Sequence, residues 1–442
     1  VIYRSDNMRK VAFYTLGCKV NQYETEAMEE LFEKSGYKVV GEEEVADVYV
    51  INTCTVTNLG DRKSRQFIRR AKKLNMDSII AVVGCYSQVA PDEIEKMEDV
   101  DVIIGTGDKK DIVKCCEEAK EKKKRINLVK DFRELKDFEE LKIEEIKSRT
   151  RAYMKIQEGC NQFCSYCIIP YARGPIRSRD YKNIIEEAKR LSNAGFKEII
   201  LTGIHVASYG KDLKNIGLLD VIEGISKVEG IERIRLSSME PTLIDENFMK
   251  TVSSMPKFCD HFHLSLQSGS DTILKKMNRK YTTKEYSEIV DLIRKYMPNA
   301  GITTDIIVGF PGEGEKEFNE TLDFVNRIRF SRIHVFKYSP RKGTPASKYK
   351  DQVHGTIKNE RSDKLISIGE KLMKDFNQQL LGKTLEVLFE EESKENPEYI
   401  EGYTTNYVRI KTLGDKKIKG NIFSVKMTKL DGENLIGKIE EF

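Results

Sequence analysis

Cys160, Cys164 and Cys167 lie within eight residues of one another, and three thiols in so short a stretch point to a shared metal before they point to a fold. A disulfide framework is a poor alternative. The chain has nine cysteines in 442 residues, and residues 1–10 lack the apolar stretch of a secretory signal. A cytoplasmic location, where thiols stay reduced, is expected, with translation starting at Met8. Three thiolates at this spacing can each take a different iron of one cubane. No further cysteine follows before Cys259, so one iron is left open. An open iron can chelate the amine and carboxylate of S-adenosylmethionine and place its sulfonium where an electron can cleave it. A zinc site would need a fourth Cys or His at finger spacing, and the next histidine is His205. Ferredoxin spacings also differ.

The rest of the chain says what carries this loop. At this length two to four domains are expected. No apolar run approaches the roughly 20 residues that span a bilayer, so no membrane partner is expected. Apolar runs at 11–16, 48–51, 79–83 and 102–104 alternate with amphipathic helical patterns, which predicts an N-terminal open parallel α/β sheet over residues 8–120. A charged linker follows over 121–150. From 151 to 377 six strand candidates, at 153–157, 198–202, 233–237, 261–266, 303–308 and 332–338, are separated by helical patterns such as 183–193, 284–296 and 315–328. They suggest a central partial (β/α)6 TIM-like barrel with ligands at the C-terminal strand ends. A second doubly wound sheet is the alternative. Over 381–442 short β-like segments at 385–389, 407–411, 422–427 and 435–439, spaced by Gly, Asn and Asp, suggest a small β-barrel.

A second set of cysteines is scattered. Cys18, Cys54 and Cys85 each end a predicted strand, at spacings of 36 and 31 residues that match successive βαβ units. The C-terminal strand ends of a parallel sheet share one edge, so three thiolates would meet above it, with Gly17 and Gly84 allowing sharp turns there. The bland alternative is three small buried hydrophobes. Cys115, Cys116 and Cys259 match neither pattern and read as structural.

Cys160, Cys164 and Cys167, with Tyr166 ahead of the last, resemble the radical S-adenosylmethionine superfamily. The longer run CSYCIIPYARGPIRSR over 164–179 is similar to the methylthiotransferases. That resemblance covers nearly the whole chain: cluster domain, radical barrel and a C-terminal RNA-binding module of the TRAM type. It implies two 4Fe–4S clusters, the second held by Cys18, Cys54 and Cys85, and S-adenosylmethionine as cofactor. It also places Tyr166, Thr202, Glu240, Gln267 and Asp305 near that cofactor. The partners implied are tRNA and an unidentified electron donor. In the mechanism it implies, one S-adenosylmethionine methylates a sulfur associated with the second cluster. Another is reduced at the open iron to a 5′-deoxyadenosyl radical, which removes hydrogen from C2 of an adenine so that the methylthio group replaces it. The segments TLGCKVNQYETEAM over 15–28 and YARGP over 171–175 resemble the type acting on threonylcarbamoyladenosine in tRNA. The types acting on isopentenyladenosine or on a ribosomal-protein aspartate are alternatives. A non-enzymatic iron–sulfur RNA-binding protein, or a radical enzyme with another substrate, are more distant ones.

Several other residues bear on the substrate. A threonylcarbamoyl group carries a carboxylate, and Arg173, Arg177 and Arg179 are the candidates to receive it as a forked pair. Residues 61–74 carry seven basic side chains, with Arg62, Arg65, Arg69, Lys72 and Lys73 on one helical face; they read either as a solvated face or as a phosphate contact. In the small barrel Tyr399, Tyr403 and Tyr407 are candidate stacking surfaces, with Arg409, Lys411, Lys416, Lys417 and Lys419 beside them, or else are core. Among the histidines His205 is the candidate to face the site, and His261, His263, His334 and His354 read as structural or surface residues.

Overall fold

The computed structural model describes residues 8–141 and 150–440. The residues ahead of Met8 and the last part of the expected linker, 142–149, lie outside these. The described residues form two compact units, one from 8–141, 155–179 and 339–347, the other from 150–154, 180–338 and 348–440.

In the first unit β1 (Lys10–Thr15), β2 (Lys38–Val40), β3 (Val48–Thr53), β4 (Ile79–Gly84), β5 (Val102–Ile104) and β6 (Ile126–Asn127) form one parallel sheet in the order β2-β1-β3-β4-β5-β6. The sequences VYVINT of β3 and IIAVVG of β4 are buried throughout, as expected where helices cover both faces of a parallel sheet. Val50, Ala81, Val83 and Ile104 pack on one face, and Ile51, Ile80, Val82 and Ile103 on the other. Thr15 pairs with Asn52, and Thr53 with Gly84. The C-terminal ends of the three central strands are therefore level.

The barrel strand β7 (Arg151–Glu158) starts in the second unit and ends in the first, where the short β8 (Arg177–Ser178) pairs antiparallel with its end. The second unit adds β9 (Glu198–Gly203), β10 (Arg233–Leu236), β11 (His261–His263), β12 (Gly301–Val308) and β13 (Arg332–Lys337). Strand orders are β10-β9-β7-β8 and β11-β12-β13, with parallel bridges Met239↔Leu264 and Gln267↔Ile306 continuing between strands. From β9 to β13 neighbours in space follow sequence order, without the reversal of a doubly wound sheet. This is the expected partial barrel. Helices Tyr181–Asn193, Thr283–Tyr296 and Glu315–Ile328 lie among its connections, each with an apolar buried stripe.

Also in the second unit, β14 (Thr384–Glu392), β15 (Tyr399–Thr404), β16 (Arg409–Leu413), β17 (Ile422–Asp431) and β18 (Asn434–Ile439) close into a barrel ordered β14-β15-β16-β18-β17. Closure leaves no unpaired strand edge. Val387, Phe389, Ile410, Val425 and Leu435 fill it. Buried Arg233 and Arg235 donate to the carbonyls of Tyr403, Thr404 and Thr405, while Glu198 accepts from Arg235 at 2.7 Å. The small barrel is thus fastened to the strands beside it.

Candidate metal centre and cofactor site

Cys18 follows β1 and opens helix Lys19–Lys34, Cys54 follows β3 directly, and Cys85 follows β4 as the first residue of helix Cys85–Val89. Gly17, at φ +115°, is where the Cys18 turn approaches Cys54: a Cβ there would stand 2.9 Å from the Cys54 Cβ and 3.2 Å from its Sγ. The amide of Asn21 holds the turn, donating to the carbonyls of Leu16 at 2.7 Å and Thr53 at 2.9 Å. The thiols grade from exposed Cys18 through half-buried Cys54 to Cys85, which is 4% exposed. Burial raises the pKa of Cys54, and charge on Cys18 adds to it. Burial pushes the Cys85 thiol up to about 12 against the pull of Arg173, with Cys54 and Cys18 adding to the rise. The free side chain is a thiol, and a metal that takes the thiolate must displace its proton.

The second triad lies in the loop after β7. The Cys160 N–H donates to Gly174 O at 3.0 Å, and Cys167 N–H to Cys164 O at 2.9 Å. Phe163 occupies the left-handed region at φ +47°, which turns the chain between Cys160 and Cys164. Cys164 is buried, and Cys160, Tyr166 and Cys167 are half-buried. Among the described residues no three of His, Cys, Asp or Glu close on a single metal ion. A cubane asks instead for thiolates ranged around its separate corners, and three thiols with no competing imidazole are a donor set that fits it in each place.

Both triads belong to the first unit, and a buried charge network joins their surroundings. Arg173, 0% exposed, donates from Nη1 to Glu24 Oε1 at 2.6 Å, from Nη2 to Asn21 Oδ1 at 2.6 Å, and from Nε to Cys85 Sγ at 3.3 Å. Glu158 lies 3.2 Å from the same guanidinium. Lys155 reaches Glu158 at 3.0 Å and Glu24 at 3.2 Å, and Lys109 reaches Glu24 at 3.4 Å. Burial alone would raise the Glu24 pKa, but Arg173, Lys109 and Lys155 outweigh it and hold the carboxyl well below the usual range. Glu158 is likewise lowered by Arg173 and Lys155 against burial. A further strap, residues 339–347, touches both loops. Arg341 donates to Thr55 Oγ1 at 2.5 Å and to Asp61 Oδ2, and Ala346 N–H donates to Ser165 O at 2.8 Å.

Of the residues expected near S-adenosylmethionine that belong to the second unit, Thr202, Glu240 and Gln267 sit near or past strand ends, and Asp305 lies inside β12. Thr202 is buried in β9. Glu240 lies beyond β10, its carboxylate 3.1 Å from His205 Nε2 and 3.3 Å from Arg279 Nη2. Burial raises its pKa, but His205 and Arg279 bring it below the ordinary value. Gln267 takes φ +70° and exchanges backbone hydrogen bonds with Asp305 and Ile307 in β12. Asp305 lies 3.1 Å from His263 Nε2. Ser237 Oγ, buried beyond β10, has no hydrogen-bond partner among the described residues. An orphaned hydroxyl on the same segment after β10 as ionised Glu240 suits a polar ligand carrying an amine or ribose.

The three arginines depart from expectation. All are buried, and each bonds to partners of its own unit. Arg173 is in the network, Arg177 donates to the carbonyls of Leu135, Arg173 and Pro175, and Arg179 pairs with Glu140 at 2.7 Å. A guanidinium with buried partners is not a fork offered to a substrate carboxylate, because exchanging them leaves charges unpaired. Two of the three barrel tyrosines have ring partners of their own unit. Tyr403 stacks on Tyr407 at 4.9 Å, Tyr407 on His261 at 4.5 Å, and Arg151 lies over both tyrosines. Both rings are half-buried and engaged within the unit, which favours the packing alternative. Arg409 pairs with Glu401, Lys411 with Glu395, and Lys416 with Glu392. Cys115, Cys116 and Cys259 are buried, as expected. Glu24, Glu158, Lys155, Lys109 and Arg341 do not stand out in the sequence. Glu24 leaves a trace there: it falls on the same stripe of helix Lys19–Lys34 as buried Val20, Ala27 and Met28.

Comparison with known proteins agrees with this architecture. Residues 154–325 match the Radical SAM superfamily and residues 10–105 match Uncharacterized protein family UPF0004. The chain is 45% identical over 425 residues to the threonylcarbamoyladenosine tRNA methylthiotransferase MtaB of Bacillus subtilis, covering 96% of this chain and 94% of that one. It is 43% identical to the Aquifex aeolicus protein of the same name, over 92% and 98%. To the tRNA-2-methylthio-N(6)-dimethylallyladenosine synthase of Natranaerobius thermophilus it is 38% identical, over 100% and 99%. In fold it is similar to the radical S-adenosylmethionine methyltransferase TsrM of Kitasatospora setae, with TM-score 0.56 and 14% identity over 77% of each chain. With one α/β unit holding three strand-end thiols and, after the first barrel strand, a three-cysteine loop, this chain belongs to the radical S-adenosylmethionine methylthiotransferases, iron–sulfur enzymes that use S-adenosylmethionine.

Proposed function

We propose that this enzyme methylthiolates C2 of N6-threonylcarbamoyladenosine in tRNA. Cys160, Cys164 and Cys167 hold the cluster that meets S-adenosylmethionine, and Cys18, Cys54 and Cys85 hold a second 4Fe–4S cluster. When bound, the clusters and S-adenosylmethionine supply the radical chemistry and the methylthio group. The residues of the chain do the rest. The level ends of β1, β3 and β4 bring three thiols above one sheet edge. The Cys160–Cys167 loop offers three thiolates and no fourth. Thr202, Glu240, Gln267 and Asp305 orient S-adenosylmethionine, with Glu240 kept ionised by His205 and Arg279 so that it can accept from an amine or a ribose hydroxyl. An external donor supplies the electron.

The observation that carries this reading is the strand-end triad, since a radical enzyme that only abstracts hydrogen needs no second thiol set. The substrate follows from the 45% and 43% identity to proteins named for threonylcarbamoyladenosine, against 38% for the one named for dimethylallyladenosine. Mass spectrometry of tRNA nucleosides from cells with and without this gene tests it. Loss of the 2-methylthio form of threonylcarbamoyladenosine is expected; loss of the dimethylallyl counterpart instead overturns the substrate assignment.

A further inference from the structure

The charges bonded directly around Arg173 are unequal in number, with Glu139 and Arg177 acting on them from farther off. Arg173, Lys155 and Lys109 are three buried cations, and Glu24 and Glu158 are the two carboxylates bonded to them. Asn21 is neutral, so within this bonded set one positive charge is left over. The remaining acceptor of the guanidinium is the sulfur of Cys85, 3.3 Å from Nε. Each edge of the guanidinium is therefore committed, two to oxygen acceptors and one to a candidate metal ligand. Arg173 also lies six residues after Cys167, so the chain segment that carries one thiol triad reaches the deepest thiol of the other. A hydrogen bond from a positively charged donor to a ligand sulfur favours the more negative, reduced form of a cluster.

We propose that Arg173 is a positioning residue for the iron–sulfur cluster on Cys18, Cys54 and Cys85, donating to the Cys85 sulfur and raising that cluster's reduction potential. The inference rests on the reading that these three thiols hold a cluster. A purely structural Arg173 would hold the Cys160–Cys167 segment in place without moving a potential.

The test uses the full chain with Cys160, Cys164 and Cys167 replaced by Ala, so that a single cluster reports, reconstituted anaerobically and titrated with dithionite while absorbance and electron paramagnetic resonance are recorded. Arg173→Lys keeps the charge but loses the fork. The double variant Arg173→Gln with Glu24→Gln removes the donor while leaving the net charge of the set unchanged, and serves if the single variant fails to fold. Either variant is expected to retain about four irons and to need a lower potential for half-reduction. At a fixed potential the reduced-to-oxidised ratio falls at least tenfold, which is 59 mV for one electron. An unchanged midpoint with iron retained overturns the role of Arg173. Absence of iron from the parent triple variant instead overturns the cluster reading itself.

Discussion

Cys160, Cys164 and Cys167 are gathered by one loop, whereas Cys18, Cys54 and Cys85 are gathered only because three strands of a parallel sheet end level with one another. The loop set lies on one short stretch of chain, held from outside by Gly174 and by Ala346 of the strap. The strand-end set depends on the register Thr15↔Asn52 and Thr53↔Gly84, on Asn21 clamping one turn to the next, and on Gly17. A local triad resists distant change, and a tertiary one reports on the packing beneath it.

The largest expected effect separates the two sets outright. Reconstituted wild-type protein should hold about eight irons. Replacing Cys160, Cys164 and Cys167 by Ala leaves about four and abolishes S-adenosylmethionine cleavage. Replacing Cys18, Cys54 and Cys85 leaves about four and keeps cleavage while methylthiolation is lost. Iron analysis with detection of 5′-deoxyadenosine reads both, and a triple variant stripped of all iron would falsify the independence of the sites.

A smaller perturbation probes the difference in dependence. Gly17→Ala adds a Cβ 2.9 Å from the Cys54 Cβ at a backbone φ of +115°, a strain of roughly 1–3 kcal/mol. The strand-end set should lose iron while the loop set keeps its four and still cleaves S-adenosylmethionine. Equal loss from both sites would mean that the turn at Gly17 serves the whole unit.

The network between the triads gives a pH-dependent test. Glu24 and Glu158 have folded pKa values below their ordinary ones. Their contribution is therefore present in full above the unfolded value of about 4.3 and is lost as pH falls through the folded values. Glu24→Gln leaves three buried cations with one carboxylate and should cost about 3–5 kcal/mol at pH 7. Urea midpoints of wild type and variant should converge as the pH drops below about 4.3. A constant gap would place the cost in packing instead of charge.

How much of this was legible follows the same division. The CxxxCxxC loop and the strand-end thiols could be read because thiol spacing and β-branched runs are local signals. Helix Glu315–Ile328 matched its expected span and the six barrel strands appeared, each with a clear apolar period. β2, β6 and β8, at three, two and two residues, pair because a neighbour is present and no pattern of their own announces them, and β15, Tyr399–Thr404, also falls outside the expected segments. Arg173 could be singled out but not placed, because its partners Glu24 and Glu158 come from distant positions. The small barrel was expected as an RNA-binding addition, yet its Tyr403 and Tyr407 pack on residues of the same unit. Removing it would leave the buried guanidiniums of Arg233 and Arg235 short of carbonyl partners, so a truncated chain tests folding before it tests tRNA affinity.

The smallest expected effect concerns the helix Asn58–Leu74, which begins four residues after Cys54. Its buried stripe is Ser64, Phe67, Ile68 and Ala71, while Arg62, Lys63, Arg69, Arg70 and Lys73 are exposed. Arg65 and Lys72, expected on the cationic face, are instead drawn inward, donating to Tyr86 Oη at 2.9 Å and Ser78 O at 2.8 Å. Arg70 pairs with Glu43. That leaves Arg62, Lys63, Arg69 and Lys73 as the cations to test for phosphate binding. Changing these four to Gln should weaken tRNA binding and make its salt dependence shallower, by about 0.7 in log–log slope for each phosphate no longer neutralised. Iron content and S-adenosylmethionine cleavage should not move, because none of the four lies in the network or the loops. A slope equal to that of wild type would assign the face to water.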